Sequence, residues 1–174
     1  MKFVIMLLLL SSTAFAKESI ELIGPGVTWH VLDNGAAPYF SNKLSSDGRL
    51  IYTPQVGFRK IHTDNQFVYS SFAAFMGSNS IGSPIYGFVG STGVELLRIL
   101  HIGIAIGTYI QNNNDFNAKG LEPFSMTSGT NALVPILGFE INTQIPISDR
   151  MFIGFNNLIT PVITNHNLSI GLGY

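Results

Sequence analysis

The sequence predicts an all-β fold, an eight-stranded antiparallel transmembrane β barrel. Three observations carry this expectation. The stretch "HIGIAIGTYI", residues 101–110, alternates without a break. Ile102, Ile104, Ile106, Thr108 and Ile110 share one face, and His101, Gly103, Ala105, Gly107 and Tyr109 share the other. Ten residues of period two match one membrane-spanning strand, with one face for lipid and one for a narrow interior. The chain also ends on "NLSIGLGY", an alternating apolar strand with a terminal aromatic. Such a strand can close against the first and remove an exposed edge. Finally, mean hydropathy is +0.33, with 18 Gly and 13 Phe. No helix-spanning apolar segment follows the first residues, so lipid-facing strands account for this apolar content.

The opening "MKFVIMLLLLSSTAFAKES" has the three parts of a secretory signal peptide: one Lys, an apolar run, and small residues ending in Ala-Phe-Ala. Its apolar core is too short to span a bilayer as a helix. Cleavage after Ala16 is expected, leaving residues 17–174 as one barrel domain. Strands are expected near 26–33, 50–61, 66–76, 84–96, 101–110, 133–143, 150–158 and 167–174. Short connections fall at "SSDG" (45–48) and "PISD" (146–149). The longest polar break, 111–131, reads as an external loop. The expected location is the bacterial outer membrane, and the expected partners are membrane lipids and the barrel-assembly machinery. A monomer is expected.

The chain has no Cys, which excludes disulfides and thiolate chemistry. Its formal net charge is −1 and no basic cluster appears, so nucleic acid is not an expected partner. His62, His101 and His166 stand alone in sequence with no metal-ligand spacing, and no metal or cofactor is implied. Glu95 and Glu140 lie within apolar segments. Facing lipid would be expensive, so both are expected to point inward. Arg59 and Lys60 read as hydrated rim residues at a strand end. Trp29, Tyr52, Tyr69, Tyr86 and Tyr109 are candidates for an aromatic girdle or an interior lining.

An eight-stranded barrel is normally filled by side chains, so a packed or narrowly cavitied interior is expected rather than a diffusion pore. His30 is the candidate acid/base. Ser78 and Ser80 are candidates to position a hydroxyl or donate to an oxyanion. These three form the candidate catalytic set. The plain alternatives are a wall histidine and a serine-rich turn, "GSNSIGS".

Four segments, "TWH" (28–30), "FMGS" (75–78), "YGF" (86–88) and "LVPILGFEI" (133–141), resemble the outer-membrane lipid A palmitoyltransferase family. They are most similar to its uncharacterised phage and bacterial relatives. The resemblance implies an eight-stranded barrel with an internal acyl-chain pocket, and transfer of a palmitoyl chain from a phospholipid to lipid A. On this resemblance His30 falls on the catalytic histidine and Ser78 on the family's serine. Gly77 stands where the family has an acidic partner, and glycine cannot orient an imidazole. Asp33 lies three residues past His30, on the opposite face of a regular strand. The family's leading amphipathic helix has no counterpart in the short, Gly/Pro-containing "KESIELIGPG".

The function expected is that of a small outer-membrane barrel, structural or lipid-interacting. A lipid A palmitoyltransferase-like enzyme is the first alternative, and a soluble β-barrel binding module the second. An apolar outer band separates a membrane barrel from a soluble one. The direction of His30 separates the acyltransferase from a plain wall.

Overall fold

In a computed structural model, residues 18–31, 40–64, 67–117 and 130–173 are described. The expected leader, Asp33 and the terminal Tyr174 lie outside them. Among these residues, nine antiparallel strands and one short helical turn follow in order: β1 (Glu18–His30), β2 (Leu50–Thr53), β3 (Gln55–Thr63), β4 (Val68–Ser78), β5 (Pro84–Leu96), β6 (Leu100–Asn112), α1 (Asn114–Asn117), β7 (Asn131–Pro146), β8 (Met151–Ile159) and β9 (Ile163–Gly173). β2 and β3 are one barrel strand broken at Pro54, and both pair with β1. The eight resulting wall strands close through β1 and β9, from Ser19↔Gly173 to His30↔Ile163. Closure is what a chain in lipid requires, because an open edge would leave N–H and C=O groups without partners.

The first strand is longer than the 26–33 expected, since it starts at Glu18. Gly24-Pro25 reads as a break in the sequence, yet the strand passes through it on a β-bulge between Ile23 and Gly26. Pro25 has no N–H to give the ladder, and a bulge is where a sheet tolerates that loss. Gly26 is required there, because a Cβ would collide with the Asn167 side chain and the His166 carbonyl. The extra residue has a second effect: it flips the face. Before the bulge the buried residues are Ser19, Glu21 and Ile23; after it they are Thr28 and His30. Period-two counting from Ser19 would place His30 in lipid. The bulge places it inside.

Outside, the wall is an apolar band that includes Leu22, Phe58, Phe72, Ile106, Leu137 and Phe139, each at least half exposed. Exposed on this scale, such a surface would be an association liability in water. Facing hydrocarbon, it is the surface a barrel needs. The barrel therefore spans a membrane, and the soluble alternative fails on this face. Trp29, Tyr52 and Tyr86 are exposed on the outer wall near one rim. Tyr69 is not part of that girdle: it is fully buried, with its ring 4.8 Å from His101. It lies against Gly103, where a Cβ would meet the Tyr69 hydroxyl, so the missing side chain is filled space rather than a slot.

The lower half of the interior holds a buried layer of paired charges. Arg59 is 3% exposed and ion-paired to Glu21 and to Glu140. Glu21 is its register partner on β1, and Glu140 reaches it across the lumen from β7. The Arg59–Glu21 contact is 2.6 Å, and Asn156 accepts a further hydrogen bond from the same guanidinium. Gln144 donates to Glu21 at 2.8 Å, and Asn142 donates to Glu140. Below this layer, Glu95 accepts from Thr63 at 2.7 Å and meets His101 at 3.1 Å. Glu95 and Glu140 point inward as expected. Arg59 does not behave as the hydrated rim residue expected. Its odd-numbered position puts it on the lumen face with Ile61 and Thr63, where two carboxylates supply what water would. Lys60, on the other face, is exposed and pairs with Glu18 at 2.9 Å.

Connections are short at the end where β1 starts and β9 finishes: three residues join β5 to β6, with Leu97 and Arg98 at positive φ. The opposite end carries the long connections, which marks it as the external end. There the wall is uneven. β7 begins at Asn131, but its pairing with β8 starts only at Phe139↔Ile159. Among the described residues, 131–138 have strand neighbours on the β6 side alone.

Two outcomes test this architecture in urea titrations of barrel refolded into vesicles. Arg59→Ala leaves two buried carboxylates without their cation and should cost about 3–5 kcal/mol. Leu137→Arg, on the lipid face, should cost about 2–4 kcal/mol if it lies near the bilayer midplane, and less near the interface. A cost near zero for the second would argue against a lipid-facing wall.

Candidate functional site

The bulge at Gly24-Pro25 and the turn after β4 together build the site. His30 is the last residue of β1 and is 8% exposed. Its Nε2 lies 2.6 Å from Ser80 Oγ, fifty residues away in sequence. The ring of Phe40 covers the imidazole, with centroids 4.1 Å apart and planes at 32°. No described group meets His30 Nδ1, which is buried.

Ser80 is held by a turn that leaves little freedom. Asn79 Oδ1 accepts from the N–H of Ile81 at 3.2 Å and of Ser83 at 2.9 Å. The Asn79 N–H donates to Ser83 C=O at 2.8 Å, and the Gly82 N–H donates to Asn79 C=O at 3.0 Å. Gly82 has a φ of 88°, a conformation glycine adopts without strain. Asn is suited to such a turn because its side chain can replace backbone partners. From the other side, the Ser41 N–H donates to Ser80 C=O at 2.8 Å, and its hydroxyl does so at 3.3 Å. Ser41 is itself placed by the 41–50 segment, which folds back on β2. There the Tyr52 N–H donates to Asn42 C=O at 2.9 Å. In the exposed turn of this segment, the Ser45 hydroxyl holds the Asp47 carboxyl below its usual range.

The three sequence candidates thus separate. His30 and Ser80 come together; Ser78 does not join them. It shares the outward register of Phe72 and Met76, and its N–H donates to Pro54 C=O at 3.0 Å. No carboxylate among the described residues touches His30, so the place left by Gly77 stays unfilled there. Two residues that the sequence did not single out matter here. Phe40 caps the imidazole, and Asn79 organises the turn while its Nδ2 stays buried without a described partner. The Asn-x-x-Gly pattern of "NSIG" could have pointed to Asn79 as a turn former; nothing in the sequence pointed to Phe40.

Thr28 and Thr53 continue the polar face below His30, 2.7 Å apart, and Asn165 donates to Thr28 at 3.0 Å. On the outer face of the same part of the wall lies an open groove of about 450 Å³. Pro25, Tyr52, Pro54, Val56, Met76 and Tyr86 line it, along with Gln55 and Gly77. Two prolines, Pro25 and Pro54, interrupt the neighbouring strands along it. No group of three or more His, Cys, Asp or Glu placed to hold a metal occurs among the described residues. His166 shares the lipid-facing register of Leu168 and Ile170, and is satisfied by Asn157 at 2.7 Å and Thr164 at 3.1 Å.

No family model matches the chain, and no curated protein matches it in sequence. Solved outer-membrane barrels resemble the chain in fold, three of them as follows. The outer membrane protein Ail of Yersinia pestis in a phospholipid nanodisc has a TM-score of 0.48 at 10% identity, over 91% of this chain and 99% of that one. The N-terminal β-barrel domain of Pseudomonas aeruginosa OprF gives 0.44 at 9% identity, over 92% of this chain and 100% of that one. A crystal structure of Ail gives 0.43 at 9%, over 92% and 99%.

The site makes a prediction about stability. Ser80→Ala leaves His30 buried with neither ring nitrogen partnered, and should cost about 1–3 kcal/mol in urea unfolding. Ser78→Ala, on the outer register, should stay within about 0.5 kcal/mol of the parent. Equal costs would show that the His30–Ser80 contact is not formed in the membrane.

Proposed function

We propose that this chain is a small outer-membrane barrel that works through lipid contact rather than conduction. The single observation that carries this reading is the combination of a closed apolar wall with a lumen blocked by the Arg59–Glu21–Glu140 layer. A pore would need a continuous polar path, and this layer sets buried, paired side chains from β1, β3, β7 and β8 across the lumen. The expected partners are phospholipid or lipid A from the surrounding membrane, and the machinery that inserts such barrels. The chain acts as a monomer in this reading.

A second reading is favoured by one specific contact. The 2.6 Å approach of His30 Nε2 to Ser80 Oγ supports an acyltransferase of the lipid A palmitoyltransferase type. His30 would act as acid/base and Ser80 as its hydroxyl partner. Ser78 keeps a lesser part, since its register directs it to the outer wall. A buried imidazole against a fixed hydroxyl is more than a structural wall requires.

Two measurements separate these readings. In planar bilayers the refolded barrel should show no stable open conductance. Purified barrel incubated with a defined phospholipid donor and lipid A acceptor should then be analysed by lipid mass spectrometry. Acyl transfer lost in a folded His30→Ala variant supports the enzyme. No transfer, where a control enzyme is active, leaves the lipid-contacting barrel alone; steady conductance removes that reading too.

A further inference from the structure

We infer that Ser80 is a nucleophile, activated by His30, that takes the acyl group of a membrane-lipid carboxylic ester as a covalent acyl-serine. The inference rests on the acyl-transfer reading of this site and goes beyond it. That reading needs only a proton relay, whereas this one places a bond to carbon on Ser80 Oγ.

Four observations converge on it. The nucleophile and base are within hydrogen-bond reach, at 2.6 Å, which is the geometry such a pair needs. The hydroxyl is presented by a turn held from both sides, through Asn79 and through Ser41. A serine that only filled a turn would not need to meet a buried imidazole. Asn79 Nδ2, on the adjacent residue, is a buried donor with no described partner. A free donor beside a nucleophile is what a developing oxyanion uses. With Phe40 over its ring, the imidazole is held in place without a carboxylate.

The substrate class follows from position. His30 is the neighbour of Trp29, which is exposed on the outer wall at the level where aromatic residues mark the membrane interface. Ester groups of diacyl lipids lie at that depth, between hydrocarbon and headgroup. Across the wall from the inward-facing His30, the outer groove supplies apolar walls at the same rim. Pro54, which lines it, accepts the N–H of Ser78, two residues before Ser80.

Ser80 Oγ adds to the ester carbonyl carbon, and its proton passes to His30 Nε2. Collapse of the tetrahedral adduct breaks the bond to the leaving oxygen. His30 returns the proton to that oxygen, so a lyso-lipid alcohol departs and the acyl group stays on Ser80. A second hydroxyl, from water or a lipid acceptor, repeats the sequence and frees the serine. During each transfer His30 becomes an imidazolium with no described carboxylate to stabilise it, so turnover should be slow for a serine enzyme.

The test uses the full chain refolded in detergent micelles and a long-chain alkyl fluorophosphonate. This probe phosphonylates an activated serine with loss of fluoride. Intact and peptide mass spectrometry should find one adduct, on Ser80. Its formation should slow about a hundredfold in His30→Ala and stay unchanged in Ser148→Ala, in the exposed turn between β7 and β8. If His30→Ala does not fold, His30→Gln keeps a hydrogen-bonding side chain without the base and serves instead. A folded barrel that gains no adduct on Ser80, or gains it equally fast without His30, overturns the inference. So does full acyl transfer by Ser80→Ala, although that result leaves the acyl-transfer reading standing. A Ser80 adduct without any transfer to lipid A keeps the nucleophile and removes that acceptor.

Discussion

The structure depends on one constraint: in hydrocarbon, every backbone N–H and C=O of the wall needs a partner within the wall. Strand closure between β1 and β9 meets it, and the proline in β1 strains it. Pro25 withholds a donor at a place where the ladder has no water to fall back on. The bulge absorbs the defect and shifts the face of all that follows in the strand. Trp29 then faces the interface and His30 the interior. The candidate chemistry of this protein is therefore a by-product of how the first strand accommodates one imino acid.

Charge inside the barrel obeys the same constraint in a harsher form. Arg59 cannot stay charged in the lumen without partners, and it has two carboxylates and an amide. Such a layer is costly to assemble and more costly to break, because removing one member leaves the others buried and unpaired. It divides the interior into a rigid, ionic lower half and an upper half where Thr28, Thr53 and His30 lead to the external loops. The candidate pair, His30 and Ser80, lies in the second.

Period two made most of the wall legible in the sequence. The strict alternation of 101–110 lies within β6, and the last strand lies where the terminal alternation put it. The inward direction of Glu95 and Glu140 followed from the cost of placing a carboxylate in lipid. What escaped depends on contacts remote in sequence. Arg59 looked like a rim residue because Glu140 lies 81 positions away. The start of β1 was hidden because Gly24-Pro25 is a turn signal everywhere except at a bulge. Ser80 and Ser78 stood as equal candidates until the turn geometry separated them. The pairing of His30 with Ser80, rather than with the serine indicated by family resemblance, could not be read from spacing alone.

The uneven rim has a consequence of its own. Where β7 rises past the end of β8, a stretch of strand keeps one flank without a strand neighbour among the described residues. A bare flank of this kind is a template on which another chain can add itself, barrel to barrel. Pro135 sits in the middle of that stretch and offers no N–H. A foreign strand laid alongside would find its ladder interrupted at that rung. The residue least suited to a β-sheet thus leaves that flank without a donor where an added strand would need one.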